Sequence, residues 1–223
     1  MQCLEPETQR KTKMRWNLFI ICLAAFFTGG SMFLFITCVT DYVGKVLYGG
    51  DPEADPESEE YELYGQGLRT GSLGMLILNL AYVAFSLVHR RVLSFLGPKK
   101  EYLLVSAFVI GLLLSLQLTD DMAVYYVTSG VMGLNRAVLY TIPFMLANQQ
   151  CHQDETSQLE HGHGHGRVGS TMALVTCALP CAFLVVCAIA GPLIDATGDP
   201  GAPMILSIGF CAVASFTFVF YKP

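Results

Sequence analysis

Arg136 stands in the middle of an apolar run, AVYYVTSGVMGLNRAVLYTIPFMLAN, with Asn135 beside it. It falls about 13 residues into that run, roughly 20 Å along a helix rising 1.5 Å per residue. An ionisable group at such a depth is expensive in a membrane and is a candidate for a substrate or ion pathway. Apolar residues on both sides make snorkelling to an interface difficult. The other reading is an arginine neutralised by carbonyls or a carboxylate purely for packing. A second group lies where an earlier apolar run ends: Asp41 and Lys45, spaced i and i+4, share a helix face and can pair. Arg69 opens the next apolar run from the same side. The functional reading of Asp41 is a vestibule carboxylate that exchanges a proton, or is released from its cation when substrate binds. The plainer reading is a solvated charge cluster at a helix end, worth little energetically.

Three prolines interrupt apolar runs: Pro143, Pro180 and Pro192. Each removes an N–H donor, frees a carbonyl and is a candidate helix break. Such breaks recur in transporter helices, where neighbours or water satisfy the freed backbone. No nucleophile elbow, phosphate loop, zinc-protease helix or catalytic carboxylate pair occurs, so no enzyme activity and no cofactor are expected. The eight cysteines form no CxxC and lie mainly in apolar runs, which points to packing. HGHGHG, His161 to Gly166, is a compositional hint of metal, but its glycine dilution gives no fixed geometry; no metal site is expected. Nothing suggests a nucleic-acid partner.

The elements that must position these residues follow from composition. The 223 residues are 53% hydrophobic and 14% charged, with mean hydropathy +0.49. That charge content is far below the quarter or so of soluble domains. Six apolar blocks, 16–39, 68–88, 102–118, 123–148, 168–194 and 202–220, each approach the length needed to cross a bilayer core of about 30 Å. Lipid requires them to be helices, so an all-α membrane protein of six transmembrane helices is expected. The first is a retained span rather than a signal peptide, because it is too long for a signal core and ends in no small-residue cleavage site.

Charge sorts the connections. Arg10, Lys11, Lys13 and Arg15 precede the first span, Arg90, Arg91, Lys99 and Lys100 join the second to the third, and Arg167 precedes the fifth. The first-to-second connection instead carries Asp51, Glu53, Asp55, Glu57, Glu59, Glu60 and Glu62. Excess Lys/Arg on alternate loops places those loops and both termini in the cytoplasm. The predicted organisation is a cytoplasmic tail at 1–15 and a six-helix bundle over 16–221. An acidic outer loop covers 49–66 and a His/Gly cytoplasmic loop 149–167. The spaced pairs Gly67/Gly71 and Gly130/Gly133 are predicted to allow close helix packing, and Asn79, Gln117, Thr141 and Thr176 to form interhelical hydrogen bonds.

Four stretches resemble one family. TDYVGKVLYGGDP (40–52) resembles the motif after the seventh helix of the sucrose/proton symporters, among the plant sucrose carriers and animal solute carrier family 45. YGQGLRTGSLG (64–74) resembles the start of that family's eighth helix and is closest to its prostein-like animal members. YTIPFMLAN (140–148) is similar to the tenth-helix Pro-aromatic segment, and GPLIDATGD (191–199) stands where the eleventh helix ends in Gly-Pro. The order and spacing agree over nearly the whole chain.

The resemblance implies the C-terminal six helices of a twelve-helix major facilitator fold that moves a sucrose-like disaccharide or a hexose together with protons. It implies that the first and fourth helices of the half, which carry Asp41 and Arg136, line the central cavity. The expected partners are sugar, protons, the lipid bilayer and another half or copy to complete twelve helices. The expected location is the plasma membrane or the membrane of an intracellular organelle. The competing expectation is a scaffold or regulatory half-transporter that transports nothing and associates with a full-length carrier.

Overall fold

The computed structural model describes residues 7–158 and 167–221. Its elements are α1 (Glu7–Tyr42), a five-residue π-helical turn (Val43–Leu47), α2 (Glu59–Leu96), α3 (Pro98–Thr119), α4 (Met122–Gln158), α5 (Arg167–Thr197) and α6 (Ala202–Val219). No strand occurs among the described residues. All six helices are long and apolar enough to cross a membrane. Most run past their apolar blocks by one or more turns, because hydropathy marks the lipid-facing part of a helix while backbone hydrogen bonding continues into water. The acidic connection shrinks accordingly to residues 48–58, since α2 begins at Glu59. His161 to Gly166 lie outside the described residues, as does residue Cys3.

The helix ends are set by local chemistry. Ser58 caps α2, its hydroxyl accepting from the Tyr61 amide at 3.2 Å, and Glu59, Glu60 and Glu62 place negative charge in the first turn. Asp51 and Asp55 accept from the Glu53 and Glu57 amides, so part of the acidic run holds its own turns. Gly97, at φ +75°, ends α2, and Pro98 opens α3 directly after it. Ser58→Ala is expected to lower stability by about 0.5–2 kcal/mol. Hydrogen exchange at the Glu60–Glu62 amides checks this: unchanged protection would contradict the cap.

The centre of the bundle is α1. It packs most extensively against α6 and α5, and also meets α4 and α2. Of its most apolar window 61% is buried, against 17% for α2 and 22% for α5. Two apolar clusters stack along it. One, toward the acidic end, joins Phe35, Val39 and Tyr42 to Leu113, Leu116, Tyr125 and Met132. The other, toward the basic end, joins Ile21 to Tyr102, Ile142, Leu146 and Phe218. Lipid tails are as apolar as these side chains, so polar contacts and close packing must add specificity. The Ser31 and Ser207 hydroxyls bond at 2.8 Å between α1 and α6, and the Thr28 hydroxyl bonds the Tyr102 hydroxyl on α3. Glycines supply the close approaches. A Cβ on Gly67 would stand 2.5 Å from the Gly44 Cα, and one on Gly133 would stand 2.3 Å from the Leu78 carbonyl oxygen.

Candidate functional site

On α4, Arg136 and Tyr140 are one helical turn apart and share a face. On α2, Asn79 and Tyr82 do the same. The two helices run side by side in the same direction, held close at Gly133, and these faces meet. The Arg136 guanidinium donates from Nη1 to Asn79 Oδ1 at 2.8 Å. It also stands over the Tyr82 ring at 5.0 Å from the centroid and near the Tyr140 ring at 5.9 Å. Among the described residues no carboxylate comes within ion-pair distance of it. The cation is therefore held by an amide and two aromatic faces, neither of which neutralises it. Asn79 and Tyr140 are exposed and Arg136 is half-buried, so this cluster opens on the outside of the six-helix unit.

Asn135 has a different environment. It is turned inward, 1% exposed, with neither side-chain polar atom hydrogen-bonded. One residue along a helix is a 100° rotation, which separates it from the Arg136 face.

Asp41 and Lys45 do pair, at 3.1 Å between Oδ2 and Nζ, each side chain about one-third exposed. A third group completes the arrangement: the Tyr64 hydroxyl, from the second turn of α2, donates to Asp41 Oδ1 at 2.9 Å. Asp41 sits at the last turn of α1 and Lys45 within the π-helical turn that follows. Single π-turns of this kind recur at functional sites. At this exposure the ion pair contributes about 0–1 kcal/mol, so the carboxylate is held weakly enough to be released. Arg69 is exposed and does not join it.

The two charged groups sit at different depths. Thr40, next to Asp41, packs against Gly71, whereas Arg136 meets Asn79, eight residues further along α2. That interval is about 12 Å of helix. Asp41 and Arg136 are thus separated along the bundle and do not form one site.

The helices continue through Pro143, Pro180 and Pro192 without ending. The carbonyls of Leu139, Thr176 and Ala188 lose their usual donors there. No group of three or more His, Cys, Asp or Glu residues among the described residues is arranged to hold a metal ion. His89 and Glu101 escape sequence reasoning altogether. Buried at the α2–α3 junction, they bring Nε2 and Oε1 to 2.9 Å, although the angle falls outside hydrogen-bond geometry. Each lies at the edge of an apolar block, where nothing in the sequence pairs it with the other.

No protein-family profile matches the chain. Known proteins do. Human solute carrier family 45 member 3 is 28% identical over 179 residues, 80% of this chain and 31% of that protein. Human solute carrier family 45 member 4 is 25% identical over 218 residues, 95% of this chain and 28% of that protein. The chain's curated homologues are solute carrier family 45 members. A further relative is human proton-associated sugar transporter A, 27% identical over 172 residues, 75% of this chain and 22% of that protein. The chain thus spans roughly a third of the length of the curated relatives it matches, or less.

The stretches that carry the resemblance to family 45 fall on identifiable structure. TDYVGKVLYGGDP holds Asp41, Lys45 and the π-helical turn; YGQGLRTGSLG supplies Tyr64 and the glycines at which α2 meets α1 and α4. YTIPFMLAN begins at Tyr140, beside the Arg136 guanidinium.

Proposed function

We propose that this chain forms the C-terminal six-helix half of a proton-coupled sugar transporter of the major facilitator type, working by alternating access on a sucrose-like disaccharide or a hexose. The observation that carries the reading is the Arg136 cluster. A guanidinium near mid-depth with no counter-ion among the described residues is costly against lipid. The same face against a second half and a watery cavity is a hydroxyl-binding surface. Arg136 donates to sugar oxygens, Asn79 fixes its plane, and Tyr82 and Tyr140 offer aromatic faces to the sugar's C–H edges. Homology to solute carrier family 45, with a relative named as a proton-associated sugar transporter, supports the same substrate class.

Asp41 is the coupling residue in this reading. With the carboxylate charged, Lys45 and Tyr64 tie the end of α1 to the π-turn and the start of α2. Protonation removes the charge that Lys45 is bound to and frees that junction to move, which biases the equilibrium between the two access states. Both termini would lie on the cytoplasmic side and a second half or copy would complete twelve helices.

The test is radiolabelled sucrose and glucose uptake into proteoliposomes, with and without an inward proton gradient, for the chain alone and joined to the first six helices of a family 45 relative. Gradient-driven uptake by the joined protein is expected. Its absence for both sugars would sink the reading. Asp41→Asn is expected to abolish the gradient's effect while retaining exchange of sugar at equal pH. An unaltered gradient response in that variant would remove Asp41 from the coupling role.

A further inference from the structure

His89 and Glu101 take no part in the proposed transport path. His89 follows Asn79 by ten residues, about 15 Å further along α2 toward the basic end. Each stands one residue outside an apolar block, where a charged side chain ordinarily reaches water. These two do not. They are 4% and 1% exposed, and among the described side chains no other Asp, Glu, His, Lys or Arg is buried. His89 Nε2 lies 2.9 Å from Glu101 Oε1. Neither that nitrogen nor either carboxylate oxygen has a hydrogen-bond partner. The Phe85 ring stacks on the imidazole, with centroids 5.1 Å apart. Phe85 and Leu93, one turn either side of His89, pack against the buried cluster that includes Tyr102, the neighbour of Glu101.

The other ionisable groups at this end are occupied elsewhere or face water. On α2, Arg90 and Arg91 are exposed, as is Lys100 on α3. Lys99 Nζ is committed to the Val219 and Tyr221 carbonyls at 2.7 and 2.8 Å. The Tyr102 hydroxyl bonds the Thr28 hydroxyl. α4 packs against both α2 and α3, and over residues 140–151 it brings only Tyr140, which faces Arg136, and Cys151. The start of α1 brings exposed Lys13 and Arg15 and, further in, Cys22; the end of α6 leads to Tyr221. Among the described residues none of these cations comes within ion-pair distance of Glu101. The carboxyl and the imidazole have only each other.

We propose that His89 and Glu101 are one proton-binding site, holding a single proton between them, and that losing it loosens α3 from α2. With one proton the pair is net neutral, whichever atom carries it. Removing that proton leaves a carboxylate in a dry site, and adding a second leaves an imidazolium; each is a buried charge without compensation. α2 and α3 pack chiefly against α4 and only slightly against each other. Beyond the Gly97–Pro98 turn the pair is placed to tie the two helices, and the strength of that tie follows the proton. Above about pH 6.5 the unfolded chain has released both protons. A folded pair that keeps one then binds more, so stability falls as pH rises. Below about pH 4.3 the unfolded chain holds two, and stability falls as pH falls. The site is independent of the transport reading.

The experiment is thermal unfolding of the full chain in dodecyl maltoside between pH 5 and 8.5, for the parent, Glu101→Gln, His89→Gln and the double variant. The double variant keeps every other titrating group and serves as the baseline. Relative to it, the parent is expected to lose about 3 °C or more between pH 6.5 and 8.5, the equivalent of a proton held tenfold more tightly than in the unfolded chain. Glu101→Gln should lack that fall and weaken instead as pH drops below about 6.5, where a lone imidazole charges. His89→Gln strands the carboxyl and should weaken from pH 5 upward, and adding Glu101→Gln should restore it. Failure of His89→Gln to fold, with recovery in the double variant, is the same result in a stronger form. Hydrogen exchange at the Gly97, Lys99, Lys100 and Glu101 amides, corrected for intrinsic rates, should speed up at pH 8.5 in the parent and not in the double variant. Lys100→Gln removes an exposed charge beside Glu101 and should follow the parent's profile. A parent profile parallel to that of the double variant, or a His89→Gln defect that Glu101→Gln does not relieve, overturns the site.

Discussion

Gly133→Ala is expected to destabilise the protein, while Gly130→Ala, one turn away on the same helix, is expected to leave it unchanged or strengthen it. A Cβ on Gly133 would meet the Leu78 carbonyl oxygen at 2.3 Å, the Ala81 Cβ at 2.9 Å and the Tyr82 amide nitrogen at 2.9 Å. Two of those three atoms are backbone, so no rotamer change relieves the clash and α2 must move away from α4. Overpacking of this kind costs about 1–3 kcal/mol, and Gly133→Leu should exceed that range. A Cβ on Gly130 would meet only an Ile77 methyl carbon, at 3.9 Å, which is ordinary contact. There the substitution removes unfolded-state freedom and gains about 0.4–1 kcal/mol. Thermal unfolding in detergent, followed by size-exclusion, reads both signs. The same displacement should carry Tyr82 and Asn79 away from Arg136, so Gly133→Ala is expected to lose sugar uptake even under conditions where it stays folded. Equal melting temperatures for the two alanine variants would show that α2 and α4 do not meet at Gly133.

Arg136→Leu is expected to reduce sugar uptake by about 100-fold or more, close to 2.7 kcal/mol of transition-state stabilisation, without lowering thermal stability. The physical reason lies in how the guanidinium is held. One hydrogen bond to the uncharged Asn79 amide and two aromatic faces stabilise it, and no carboxylate among the described residues is stranded when it is removed. Leucine at mid-depth also relieves the cost of a charge there, about 2.5–3.5 kcal/mol on insertion scales. A residue kept for folding would show the reverse pattern. Arg136→Lys separates charge from geometry: ammonium is a point donor and cannot present a planar fork, so uptake should fall here too, though less than with leucine. If Arg136→Leu unfolds the protein while Arg136→Lys transports normally, the arginine is a packing element and the proposed sugar surface is wrong.

Much of the architecture is legible in the chain. Six apolar blocks announce six helices, because the free energy of placing a helix in lipid depends mainly on its own composition. Asp41 and Lys45 are legible as a pair for a similar reason: four residues along a helix puts two side chains on one face wherever that helix sits. Gly67 and Gly71 likewise read correctly as a close crossing. What failed to show is equally specific. The block ending at Val39 gave no sign that helix continues to Tyr42 and then tightens into a π-turn at Val43–Leu47. Tyr64 reaches Asp41 from 23 residues away, and His89 meets Glu101 across a turn.

The sequence alone determined which segments are helices, how charge is distributed between the two ends of the bundle, and which residues share a helix face. Those are properties of single helices, fixed by hydropathy and by 3.6 residues per turn. Only the tertiary structure decided how each helix is rotated about its axis. That rotation turns Asn135 into the bundle and Arg136 out of it, makes Gly133 a contact and Gly130 a gap, and brings Asn79, Tyr82 and Tyr140 around one cation. Leucine-like surfaces are chemically alike in every direction, so hydropathy cannot choose among rotations; the fit of glycine notches against backbone and the few buried polar contacts do.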